Sequence, residues 1–329
     1  MNFNYQKICK DLTKGLDSRT ADIIERRFGL KGKRETLEAI GSSYDITRER
    51  VRQIEAEGFS KIRPKLLDNK SVFEHFHKSL VNFGKLNKEQ SLLEYLGGEK
   101  FQNHVFFLLT NADGFDRAAE SDKFYSFWTV DKKAVNEAQK VIKSTIERFK
   151  KEKQVLSLDD LLKKQSLKKD VFVSYIEISK DIQKSPEGKF GLTNWLEINP
   201  KGIKDKAYLV LNKEEAPLHF AEVASRIEKL PYPGHNKIHT ATVHNELIKD
   251  SRFILVGRGL YALKEWGYES GVVRDVITKT LKDSKKPLKK EEILKKVLAQ
   301  RFVKENTVVL NLQNKSYFLR DNKGRYTIA

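Results

Sequence analysis

The sequence predicts a mainly α-helical protein with small β-hairpin wings, a helix-turn-helix plus tandem hairpin-bearing helical modules. Three observations carry this. An aromatic-led hairpin pattern recurs at intervals of 66, 71 and 65 residues. Apolar residues at three- and four-residue spacing precede each hairpin, the signature of short helices repeated along a chain. A small-residue, turn and cap pattern near the N-terminus marks two helices meeting at a sharp corner. The length of 329 residues fits about two ordinary domains or a larger number of small ones.

Composition narrows the classes. Lysine and arginine total 63 against 45 acids, a net charge of +18, and 39% of residues are hydrophobic, as in a soluble folded protein. No apolar run approaches the roughly 18 residues that span a bilayer. Met1 to Lys7 hold no signal-peptide core, so a cytoplasmic, nucleoid-associated protein is expected. The single cysteine, Cys9, rules out an internal disulfide framework and a Cys-based zinc finger. A strong positive field commonly serves nucleic acid. The field is uneven: residues 1–68 carry +4, 69–130 carry −1, 131–200 carry +4, 201–270 carry +2 and 271–329 carry +9. Half the excess lies in the last stretch, whereas 69–130 suits a protein contact better than phosphate.

The repeat has four members. Phe115–Arg117 with Lys123–Trp128 form the first, and Ile182–Leu192 with Trp195 the second. Phe253–Leu263 with Trp266 are the third, and Tyr317–Ile328 the fourth. Phe124, Phe190, Tyr261 and Tyr326 lead the second strands, and Gly, Asn or Asp in the turn supplies the positive φ a tight hairpin needs. In the last member Val273, Val276, Ile277 and Leu281 recur at helical spacing. Leu288 opens a second helix, and Thr307 to Leu312 make a third. Pro217-Leu218 matches Pro287-Leu288, and Thr242-Val243 matches Thr307-Val308. Three short helices followed by a hairpin make a winged helix. The expected modules are 1–68, a degenerate winged helix at 69–130, and winged helices at 131–200, 201–268 and 269–329.

The N-terminal pattern runs from Thr36 to Glu55. Leu37 and Ile40 give one helix an apolar face, and Gly41 lets the next pass close by. Asp45 stands at the turn, where Asp tolerates left-handed geometry. Thr47 can cap the following helix, and Glu49 in its first turn suits the positive helix end. Arg50 stands where a full capping box would have Glu or Gln. Val51, Ile54, Gly58 and Ile62 then line one face, leaving Arg48, Glu49, Arg52 and Gln53 to face outward. Those types suit base edges: Arg for guanine, Gln for adenine, Glu for cytosine N4. Thr47, Arg50, Lys61, Arg63 and Lys65 suit the backbone, which sets register. The wing residues Lys189, Arg258, Lys323 and Arg325 are the further backbone candidates.

Residues 16–65 resemble region 4 of primary bacterial sigma factors, through Ile24–Leu30, Thr36–Gly41 and Ile46–Ala56. The resemblance implies a reader of the promoter −35 element whose base contacts fall on Arg48, Glu49, Arg52 and Gln53. It also implies that the first helices dock on the β flap of RNA polymerase. A complete sigma factor would further need an aromatic-rich helix that melts the −10 element, and no tryptophan precedes Trp128. Residues 203–268 resemble the HARE-HTH winged helix of the RNA polymerase delta subunit, through Ala216–Ala224, Thr240–Val243, Arg252-Phe253 and Gly257–Leu263. Delta members carry a long acidic tail, where this sequence has its most basic stretch.

Other chemistry finds little footing. There is no Gly-x-x-x-x-Gly-Lys loop and no Gly-x-Ser-x-Gly elbow. His235, His239 and His244 cluster without an acid or cysteine at a familiar ligand spacing, so no metal is expected and His239 and His244 suit capping or DNA contact. His219 suits packing, His75 and His77 are assigned no chemistry, and Trp128, Trp195 and Trp266 suit packing better than base stacking. The expectation is a bacterial DNA-binding transcription regulator acting on double-stranded DNA with RNA polymerase. No catalysis, cofactor, membrane or small-molecule substrate is expected. The alternatives are a delta-type polymerase accessory subunit, an architectural nucleoid protein, and the DNA-reading component of a restriction or modification system.

Overall fold

Local capping sets the first helices in this computed structural model, which describes residues 3–163, 165–233, 237–268, 271–301 and 303–329. The Asn4 side chain caps α1 (Tyr5–Thr13), and Asp17 caps α2 (Ser18–Phe28), which ends on Gly29 at φ 63°. Thr36 caps α3 (Leu37–Ser43) and Thr47 caps α4 (Arg48–Ile62). Each side-chain oxygen accepts from a backbone N–H of the first turn, satisfying a donor that the helix itself leaves open. A 3-10 helix, Arg63–Asn69, leads into α5 (Lys70–Asn82).

From α5 onward one order recurs: helix, short strand, helix, helix, hairpin. In the first instance, α5 is followed by β1 (Leu86–Lys88), α6 (Glu89–Gly97), α7 (Gln102–Asn111), β2 (Asp116–Ala118) and β3 (Phe127–Thr129). The second has α8 (Lys132–Glu152), α9 (Leu158–Leu162), α10 (Lys169–Glu177), β4 (Ile182–Lys184) and β5 (Phe190–Leu192), with Leu156 bridging Phe190 in place of a first strand. The third has α11 (Gly202–Glu214), β6 (Leu218–His219), α12 (Phe220–Glu228), α13 (Thr240–Lys249), β7 (Phe253–Leu255) and β8 (Leu260–Leu263). The fourth has α14 (Val273–Ser284), β9 (Leu288–Lys289), α15 (Lys290–Gln300), α16 (Glu305–Leu312), β10 (Phe318–Arg320) and β11 (Arg325–Ile328). The protein is mainly α with small antiparallel sheets, as its patterning predicts.

Three expectations need correction. Leu288 does not open a helix, because it pairs with Tyr326 in a strand, as Leu218 pairs with Tyr261. The prolines before both leucines favour an extended entry, so these sheets have three strands where a two-stranded hairpin was expected. Phe124 does not lead the first module's second strand. It bridges Ser179 outside β3, and Trp128 takes the strand position, opposite Asn87. Trp128 is therefore a buried strand residue and no counterpart of Trp195 and Trp266, which follow their hairpins half-buried.

The chain divides into two compact units, Met1–Thr193 and Asn194–Ala329. In the first, a large core runs from Tyr5 and Cys9 through Phe28, Ile62 and Phe76 to Phe107 and Trp128. The N-terminal helices and the α5–β3 module thus share their apolar interior. In the second unit, separate cores surround Val243 and Leu263 and surround Ile277 and Ile293.

Candidate nucleic-acid interface

The corner between α3 and α4 is built as its residue types require. Gly41 accepts from the N–H groups of Tyr44 and Ile46 through its carbonyl. A Cβ on it would stand 2.7 Å from the Ile46 carbonyl oxygen, so the turn closes only over glycine. Asp45 holds φ 54°, and the Thr47 hydroxyl accepts the Arg50 N–H at 3.2 Å. Ile23, Ile40, Val51 and Ile54 form a small core beneath the corner, flanked by Leu37, Tyr44 and Ile46. Farther along α4, a Cβ on Gly58 would meet Ile24 Cδ1 at 2.6 Å and Thr20 Cγ2 at 2.8 Å. Its bare backbone lets α4 cross close to α2.

Burying Val51, Ile54, Gly58 and Ile62 fixes what α4 turns outward. Thr47, Arg48, Glu49, Arg50, Arg52, Gln53, Lys61 and Arg63 are all exposed. The Arg52 guanidinium grips the Glu49 carboxylate at 2.6–3.1 Å. That contact holds Glu49 below the usual carboxylate range and raises Arg52 above its own. Arg50 donates to Gln53 Oε1 at 3.0 Å and lies 3.9 Å from Glu57. Arg48 makes no ion pair among the described residues. Glu55, half-buried beside Arg27 at 3.8 Å, is pushed upward by desolvation. The N-terminal part of the exposed face therefore offers the Arg48 cation, the pre-oriented Arg52–Glu49 pair and the Gln53 amide, on a helix whose width suits a major groove.

The wing candidates lie in the later hairpin-bearing modules. Lys189 and Arg258 are exposed beside Gly188 at φ 88° and Gly259 at φ 68°. Lys323 is exposed, whereas Arg325 is half-buried and bound to Asp321 at 2.8 Å. His219 caps α12 by accepting the Ala221 N–H at 3.3 Å, and its ring lies 4.3 Å from Phe220. His244 packs on the same Phe220 ring, with the centroids 4.4 Å apart. His239 stands at the start of α13 without a side-chain cap bond, and His235 falls outside the described residues. No group of three or more potential metal ligands occurs among the described residues.

The third helices of the first two modules are occupied within the chain. α7 packs on α1 and α2, with Phe28 within 5.8 Å of the Phe106 and Phe107 rings. Arg34 closes this contact: its guanidinium lies 4.0 Å over Phe106 and donates to Asn103 at 2.7 Å. Asn103 in turn donates to the Gly29 carbonyl at 3.0 Å. Sequence reasoning missed these residues, since a pair 69 positions apart leaves no periodic trace. The helices expected to meet the polymerase flap thus turn their apolar faces into the chain's own core. α10 packs on β1 similarly, with Ser174 donating to the Leu86 carbonyl and Tyr175 to the Gly84 carbonyl.

Comparison with known proteins falls on the helix-turn-helix. Residues 14–64 match the family model described as Sigma-70, region 4. RNA polymerase sigma factor SigA of Nostoc sp. is 48% identical over 58 residues, covering 16% of this chain and 15% of that protein. RNA polymerase sigma factor RpoD of Neisseria gonorrhoeae is 38% identical over 64 residues, 19% of this chain and 10% of that protein. The chain spans well under a fifth of the length of these relatives. The family resemblance therefore belongs to α2, α3 and α4, the helix-turn-helix with its exposed arginines, as a sigma-70 region 4 segment in a chain otherwise built of repeated hairpin-bearing modules.

Proposed function

We propose that the protein is a DNA-binding transcription regulator whose N-terminal helix-turn-helix reads duplex DNA of promoter −35 type. The observation that carries this is the exposed set Arg48, Glu49, Arg52 and Gln53 on α4, inside the segment that matches region 4. In this reading Arg48 and Arg52 address guanine edges, Gln53 an adenine edge and Glu49 a cytosine amine. Thr47, Arg50, Lys61 and Arg63 set the register on phosphates. Lys189, Arg258, Lys323 and Arg325 add backbone contacts from the wings. The module boundaries 1–68, 69–130, 131–200, 201–268 and 269–329, and the HARE-HTH likeness of 203–268, belong to the same proposal.

RNA polymerase is the proposed protein partner, and the burial of α1 and α2 against α7 moves that contact to another surface. The test is retention of the full chain on core RNA polymerase after nuclease treatment at moderate salt. Retention without DNA is expected of a polymerase-bound factor. Loss on nuclease treatment would leave a DNA-first regulator, and the sigma likeness would then describe base reading alone.

A further inference from the structure

The last module gathers five of its fifteen basic residues at the turn between its first two helices and on the helix ends beside it. Its third helix, α16, contains no lysine or arginine, begins with Glu305 and leaves Leu310 66% exposed. By contrast Lys282, Lys285, Lys286, Lys289 and Lys290 are all exposed, and none forms an ion pair among the described residues. The acids nearby are Asp283, Glu291 and Glu292, and the Glu292 carboxylate is engaged by the Lys289 N–H at 2.8 Å.

The backbone gathers these lysines. Lys285 ends α14 at φ 50°, and the Ser284 hydroxyl sits 2.8 Å from the Lys286 carbonyl. Leu288 is buried and pairs with Tyr326, so the two-residue strand period turns Lys289 outward. The third module makes the same turn, with Glu215 at φ 51° and Leu218 paired with Tyr261. There the turn carries Glu214 and Glu215. One backbone accepts either charge, so the fold does not require lysine here. Lys289 and Lys290 also stand at the positive end of α15, an unfavourable place for cations and a favourable one for phosphate.

We propose that this turn is the face by which the C-terminal module holds the phosphate backbone of duplex DNA, in place of its third helix. The inference rests on the reading of the chain as DNA-binding. The test uses the full chain with Lys282→Gln, Lys286→Gln, Lys289→Gln and Lys290→Gln combined, leaving Lys285 in its left-handed position. Affinity for random-sequence duplex is measured across a salt titration, with circular dichroism to show that both proteins are folded. The slope of log affinity against log salt should become shallower by about 2–4, roughly 0.9 for each lost phosphate contact. A second variant, Asn306→Ala with Thr307→Ala on α16, should keep the parent affinity at every salt concentration, and a weakened one would return the contact to the third helix. A lysine variant with the parent slope overturns the proposal and leaves the turn to an acidic protein. A parent chain without salt-dependent duplex affinity would instead sink the DNA-binding reading itself.

Discussion

Gly41 and Gly58 are both small for steric reasons, and they differ in what a methyl group would strike. At Gly41 the obstacle is the Ile46 backbone carbonyl, which cannot move without opening the turn. At Gly58 it is the ends of the Ile24 and Thr20 side chains, which can rotate. Gly41→Ala should therefore lose about 1–3 kcal/mol, while Gly58→Ala should stay within about 1 kcal/mol, its strain offset by alanine's better helix propensity. Urea denaturation of the two variants checks the order, and equal losses would contradict it. These positions were legible beforehand, as were Asp45 at its positive φ and Thr47 as a cap. Each depends on chemistry a few residues away. The Arg52–Glu49 grip was not, although a spacing of three on a helix permits such a pair.

Elements were legible where their period is long enough to see. α4 and α14 run over several turns, and their apolar faces are plain in the sequence. The two-residue strands Leu218–His219 and Leu288–Lys289 are too short to alternate, so only their pairing with β8 and β11 reveals them. A further sign lay in the residues without being readable there. Lys85, Lys153, Glu215 and Lys285 all hold φ between 50° and 69° just before the first strand or bridge of their modules. None is glycine or asparagine, so nothing in their chemistry marks the turn. The docking of α2 on α7 is a relation between elements, and Phe28 tests it. Its side chain is buried against Phe59, Phe106 and Phe107. Phe28→Ala should cost about 3–5 kcal/mol and raise hydrogen exchange along α7. Faster exchange confined to α2 would mean that the two helices are not one cooperative body.

At the scale of the whole molecule, charge and occupancy divide the modules. The segment 69–130 carries −1, and its third helix is covered by the N-terminal helices. The stretch 271–329 carries +9, and five of its fifteen basic residues lie exposed at the turn between α14 and α15 and on the adjoining helix ends. In the proposed function, base reading falls to α4 and salt-sensitive backbone affinity to residues 271–329. The central claim is that α4 discriminates sequence, and the ratio of affinities for a selected duplex and a scrambled one at fixed salt measures it. The account predicts a high ratio for the parent chain and a roughly ten- to hundredfold lower ratio for Arg52→Ala, with scrambled-duplex affinity little changed. A parent ratio near one, or an Arg52→Ala variant that weakens both duplexes equally, would contradict it.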